Sequence, residues 1–132
     1  DRDAILDVPC DIWIPAARPD VVRADNVDRL DTKLVAQGAN IPFTAEAEAI
    51  LHERGVVSVP DFVANAGGVI CAAVEYHEGT ERAAFETIDG RIRTNTRLVL
   101  EESRTSGVMP RTAALTLARR RVEAAMTTRR WS

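Results

Sequence analysis

An α/β fold, half of a doubly wound parallel sheet followed by C-terminal helices, is predicted by three observations. First, residues 10–15 (CDIWIP), 33–36 (KLVA) and 56–59 (VVSV) are short apolar runs, each ended by proline or glycine within a few residues. They have strand length and are largely apolar on both faces, the pattern of buried parallel strands. Second, about seventeen residues separate the first run from the second, and a similar number the second from the third. Parallel strands need a crossover of roughly a dozen residues or more. Third, both connections carry helical signals, giving β-α-β-α-β.

The elements follow in order. In the first connection Asp25-Asn26 precedes VDRL. In the second, Thr44 precedes AEAEAILHERG, with Ala47, Ile50 and Leu51 on one side and Gly55 as the stop. Glutamates in the first turn suit the helix dipole. Beyond the third run the chain reads as helical. Asn65 is placed to cap a helix from about Gly67 through Tyr76. Thr80 opens a long helix in which Phe85, Ile88, Ile92 and Val99 recur at helical spacing, interrupted by Gly90 and ended by Ser106-Gly107. Pro110 suits the first turn of a last helix, with Leu115, Ala118, Val122 and Met126 as its apolar stripe.

The 132 residues suit one domain. A net charge of -3 disfavours a nucleic-acid surface, which is usually basic. No apolar run approaches the ~18 residues of a membrane span. Asp1-Arg2-Asp3 carries no signal-peptide pattern. Cys10 and Cys71 form no C-x-x-C pair and read as free buried thiols, which fits a reducing cytoplasm. The chain opens without methionine, directly ahead of a strand-like run, and is expected to be part of a longer polypeptide. Lys33 is its single lysine, so a mechanism that needs one has a single candidate.

Ligands of open parallel sheets bind outside the carboxyl ends of the strands. Three segments should converge there: Ala16-Ala17, Gly38-Ala39-Asn40, and the stretch from Asp61 to Gly68. Small residues let the backbone approach a ring or ribose, and Asn40 and Asn65 add amides that donate and accept. Gly67-Gly68 at a helix start exposes backbone N–H groups. Together they describe a polar-edged shelf for a nucleotide, although Asn and Gly after strands are also ordinary turn chemistry.

Three segments discriminate further. CDIWIPAA, VAQGANIPFTAEAE and VPDFVANAGGV occur in this order, and PRTAALTLARRRVEAAM follows near the end of the chain. Over nearly its whole length the chain resembles the second half of the Rossmann-like cofactor domain of the glutamate/leucine/phenylalanine/valine dehydrogenases. The resemblance implies reversible oxidative deamination of an L-amino acid to a 2-oxo acid and ammonia, with hydride passing to NAD or NADP. It implies that Ala16 lies beside the nicotinamide end of the cofactor and Asn40 near the nicotinamide ribose. Asn65 would hold the nicotinamide end or the reacting centre, and Val69 would pack on the substrate side chain. Ala72 falls where glutamate-specific members commonly have a serine that binds the distal carboxylate. Without that hydroxyl the position suits an apolar side chain, because a buried unpaired carboxylate is costly. The last helix resembles the glutamate branch more, so glutamate and an apolar amino acid both remain as substrates.

The resemblance also marks what these residues lack. No G-x-G-x-x-G turn occurs, nor the acidic residue expected about 20 residues after it. The family's catalytic lysines and aspartate belong to a separate substrate domain. Lys33 sits at the amino end of its run, away from the shelf, and reads as a snorkelling edge residue. No catalytic residue is therefore assigned. The expectation is a truncated cofactor domain, inactive alone and self-associating; the alternative is a stand-alone nucleotide-binding or interaction module.

The other conspicuous residues read as structural. His52 and His77 are isolated, with no H-E-x-x-H or cysteine partner, so no metal site is expected. Arg119, Arg120 and Arg121 splay around a helix and make no stripe. Glu75 and Glu78 read as surface charge, Trp13 as core. Arg129, Arg130 and Trp131 stand just before the last residue, Ser132.

Overall fold

Three parallel strands, β1 (Cys10–Trp13), β2 (Thr32–Ala36) and β3 (Val57–Val59), lie side by side in sequence order in this computed structural model, which describes residues 3–128. Ile12 stands beside Leu34 and Trp13 beside Val35; Leu34 in turn pairs with Val57 and Val35 with Ser58. The expected α/β class and parallel sheet are present. Two strands are shorter than their apolar runs, since Ile14 and Pro15 leave β1 and Val56 precedes β3, whereas β2 gains Thr32.

The first crossover is mostly irregular. Its helical signal yields only one three-residue 3-10 turn, Val27–Arg29. The second crossover holds α1 (Ala45–Glu53), capped by the Thr44 hydroxyl accepting from the Ala47 N–H, and released by Gly55 at φ 78°. A short helix missed in the sequence, α2 (Asp61–Ala64), follows β3. Then come α3 (Gly67–Tyr76), α4 (Glu81–Ser106) and α5 (Pro110–Thr128). Thr80 caps α4 by accepting from the Ala83 N–H, and Gly107 ends it in the left-handed conformation. Asn65 does not cap α3; Ala66 occupies that position, and the Asn65 amide is used elsewhere.

Two cores lie on opposite faces of the sheet. On one, Val35 meets Val22, Val27, Leu30, Phe43, Ala47 and Leu51, with Trp13 half-buried and its ring edge-on to Phe43. On the other, Val59 meets Val63, Val99, Ala113 and Ala114, contributed by α2, α4 and α5. Those helices pack on β3 and leave β1 uncovered on that face. Ile12 is therefore 59% exposed, so the first run is not a strand buried on both faces. Among the described residues β1 also has a hydrogen-bonded neighbour strand on one side only, the edge on which the expected self-association rests.

The helical stripes fall differently from expectation. Val99 is buried, but Phe85 is exposed. On α5 the predicted stripe of Leu115, Ala118, Val122 and Met126 faces outward, and Ala113 and Ala114 are buried instead. Ala113, Ala114 and the partly buried Leu117 share another face of the same helix, and that face packs against Val99 of α4.

Gly90 lies inside α4, exposed, and a methyl group added there would meet no atom within 4 Å. Gly90→Ala is expected to raise stability by about 0.5–1 kcal/mol, because alanine loses less backbone entropy in a helix. Urea unfolding should show a higher midpoint with an unchanged slope.

Candidate functional site

At the carboxyl end of the sheet the three expected segments are joined by hydrogen bonds. The Ala39 N–H donates to the Pro15 carbonyl at 2.7 Å, tying the turn after β2 to the turn after β1. The Gln37 N–H donates to the Val59 carbonyl, extending the β2–β3 register by one residue. Gly38 allows a close approach there: a Cβ would lie 3.2 Å from the Ala16 Cβ and 3.4 Å from the Pro15 oxygen. The third segment closes the set through Asn65. Its Nδ2 donates to the Asn40 Oδ1 at 2.7 Å and reaches the Gly38 carbonyl at 3.5 Å.

Ala16, Asn40 and Asn65 are thus brought together as the sequence predicts. Ala16 and Asn40 are exposed and Asn65 is half-buried. The paired amides leave the Asn65 Oδ1 as an acceptor and the Asn40 Nδ2 as a donor, with no hydrogen-bond partner among the described residues. Such a pair matches a carboxamide or a ribose diol, each of which donates and accepts. Val69 and Ala72, three residues apart, lie on one exposed face of α3, and Val69 is 78% exposed.

Beneath this shelf lies a polar cluster that sequence reasoning missed. Gln37, fully buried just after β2, donates from Nε2 to the Glu48 Oε1 at 2.9 Å and to the Ser58 hydroxyl at 3.0 Å. Arg111, in the first turn of α5, donates from Nε to the Glu48 Oε2 and from Nη2 to the Gln37 Oε1. The same Nη2 lies 3.0 Å from the Asp61 Oδ1. The guanidinium also stands 5.5 Å from the centre of the Phe62 ring. Asp61 uses its other oxygen to accept the Ile41 N–H at 2.9 Å. Ile41 is held at φ 50°, a left-handed backbone that a β-branched residue rarely adopts.

Burial pushes the Asp61 carboxyl up. The Ile41 N–H, the Arg111 charge and the Phe62 N–H outweigh it and hold the group below the usual carboxylate range. Burial likewise disfavours the Arg111 cation, but its bond to Glu48 and the charges of Glu48 and Asp61 hold its pKa above the ordinary value. A legible signal for this cluster did exist. Glu48 shares a helix face with Ala47 and Leu51, both buried, so the 3.6-residue period places that carboxylate inside.

The remaining candidates lie elsewhere. Lys33 sits near the amino end of β2, largely exposed, with its Nζ 2.6 Å from the Asp11 Oδ1. Cys10 and Cys71 are both half-buried free thiols. Among the described residues no three His, Cys, Asp or Glu side chains group as metal ligands, and no helix is long and apolar enough to cross a membrane. Arg119, Arg120 and Arg121 are exposed, and Arg121 bonds the Asn95 side chain. Arg129, Arg130 and Trp131 lie outside the described residues.

Comparison with known proteins places the sequence and the fold. The family model described as glutamate/leucine/phenylalanine/valine dehydrogenase matches residues 1–130. A glutamate dehydrogenase of Aeropyrum pernix is 36% identical over 137 residues, covering 96% of this chain and 33% of the relative. An NADP(+)-dependent glutamate dehydrogenase of Pyrobaculum calidifontis is 39% identical over 138 residues, covering 99% and 33%. The chain therefore spans about a third of the length of these relatives. Among solved structures, L-tryptophan dehydrogenase from Nostoc punctiforme superposes with a TM-score of 0.84 at 26% identity, over 94% of this chain and 38% of the other. Glutamate dehydrogenase from Peptoniphilus asaccharolyticus gives 0.76 at 27% identity, over 90% and 32%. With the family model matching almost end to end, the chain belongs to the glutamate/leucine/phenylalanine/valine dehydrogenase family.

Proposed function

We propose that this chain forms the nicotinamide side of the cofactor cleft in an NAD- or NADP-dependent amino-acid dehydrogenase. The reaction would be reversible oxidative deamination of an L-amino acid. The observation that carries the reading is the amide pair: Asn40 and Asn65, 2.7 Å apart, present one free acceptor and one free donor above the turn that holds Ala16. These groups fit a nicotinamide carboxamide or its ribose. When bound, the dinucleotide supplies the hydride acceptor. The residues named here bind one end of it and orient the ring through fixed hydrogen bonds, which is worth most when the reacting atoms approach within about 3–3.5 Å.

Val69 and Ala72 would form the wall against the substrate side chain. That wall has no hydroxyl or cation at either position, which favours an apolar amino acid, whereas the relatives named above are glutamate dehydrogenases. Both substrates stay within the proposal.

The 132 residues are expected not to turn over by themselves. They include no Gly-rich pyrophosphate turn, and their one lysine is engaged with Asp11 on the surface. Binding through the nicotinamide end alone should be weak, with Kd of about 1 mM or worse, where −4.1 kcal/mol corresponds to ~1 mM. Titration calorimetry with NAD and with NADP tests this. Micromolar binding would mean that a complete nucleotide site exists in these residues, and would favour a stand-alone nucleotide-binding module.

A further inference from the structure

We propose that Arg111 and Asp61 act together as positioning residues for hydride transfer, by fixing the backbone that carries Asn40. The inference rests on the reading of Asn40 and Asn65 as the nicotinamide-end amides. Arg111 spends its Nε and Nη2 on Glu48, Gln37 and Asp61. Asp61 is 7% exposed, and its two oxygens face the Ile41 N–H and the Arg111 guanidinium. The chain of contacts is short. Arg111 anchors on Glu48 of α1 and on Gln37 after β2, and so ties the last helix to the turn bearing Gly38, Asn40 and Ile41. Asp61 then holds the Ile41 N–H, one peptide from Asn40, in a backbone conformation unfavourable for isoleucine. Asp61 also begins α2, the single turn of helix that leads to Asn65. One ion pair therefore sets both halves of the amide pair.

The arrangement needs a carboxylate and a fork. Asp61 accepts the Ile41 N–H on one oxygen, and its other oxygen, which has no hydrogen-bond partner among the described residues, is balanced by the Arg111 charge at 3.0 Å. An asparagine there has one acceptor and would point its own NH2 group at either Ile41 or Arg111. A lysine at 111 presents a single ammonium in place of a planar fork that serves Glu48, Gln37 and Asp61 at once.

Two measurements test the proposal. In the 132-residue chain, Asp61→Asn should speed hydrogen exchange of the Ile41 amide about 10-fold or more, with core amides such as that of Val35 unchanged. In the full-length polypeptide carrying these residues, Asp61→Asn and Arg111→Lys should each lower kcat about 10-fold while the cofactor KM moves less than about 2-fold. The primary deuterium isotope effect on kcat should rise, since hydride transfer becomes more rate-limiting. A loss of folded enzyme would lower kcat without changing the isotope effect, and that result would overturn the proposal. So would an unchanged Ile41 exchange rate. Asn65→Ala run in parallel separates the two readings: if it lowers kcat and the pair variants do not, the positioning role fails alone. If Asn65→Ala has no effect, the cleft assignment fails and this inference falls with it.

Discussion

Arg111→Met should destabilise the fold by about 3–5 kcal/mol, the range found when one partner of a buried ion pair is removed. Its side chain is 26% exposed, which points to the lower end of that range, but the groups it leaves behind are deeper. Glu48 and Asp61 have side chains 6% and 10% exposed. Without the guanidinium both remain under α5 as carboxylates with no cation, and Gln37 loses the donor to its Oε1. Methionine fills much of the volume, so the loss reports unpaired charge more than a cavity. Urea unfolding at neutral pH gives the magnitude.

The pH dependence has a defined sign. The folded-state pKa of Asp61 is depressed, so its contribution is fully present above the unfolded value, about 3.9. It is lost as pH falls through the lower folded-state value. In Arg111→Met burial, which raises this pKa, and the Ile41 and Phe62 N–H groups, which lower it, remain, but the Arg111 charge that also lowers it is gone. The stability gap between the parent and Arg111→Met should therefore narrow as pH drops below about 4. A gap that widens on acidification would contradict the assignment of Asp61 as the stabilised carboxylate.

Asn65→Ala in the full-length polypeptide should lower the rate of hydride transfer about 100-fold, the penalty expected for a reacting ring displaced by about 1 Å. The substitution removes the free Oδ1 acceptor and releases Asn40 from its 2.7 Å contact, so both amides lose their fixed geometry at once. Stability should change little, because no backbone group depends on the Asn65 side chain except the Gly38 carbonyl at 3.5 Å. Single-turnover reduction of the cofactor, with circular dichroism to confirm folding, is the measurement. A drop smaller than about 3-fold would remove Asn65 from the site.

Strand positions were legible because apolar runs and crossover lengths are local properties of the chain. Caps were legible where one hydroxyl serves one turn, as at Thr44 and Thr80. The faces of the long helices were not, since Leu115 and Ala114 differ only in what lies opposite them. The exposure of Ile12 is not legible, because a run of apolar residues carries no information on which strand the helices cover. The converging asparagines were found from the geometry common to parallel sheets. Their support was hidden, because Gln37, Glu48, Asp61 and Arg111 meet across up to 74 positions of sequence, where no periodicity links them. The single hint, a glutamate on an apolar helix face, needs its arginine before it has a meaning.

Ile41 has a consequence of its own. A β-branched residue at φ 50° stores on the order of 1–3 kcal/mol. That energy makes the turn behave as a loaded spring, with the Ile41–Asp61 hydrogen bond as its catch. Releasing the catch favours relaxation of the backbone toward negative φ, carrying the neighbouring Asn40 with it. Stability and readiness for chemistry are thus opposed at one dihedral: a glycine at position 41 would relieve the strain and also blunt the placement of the amide.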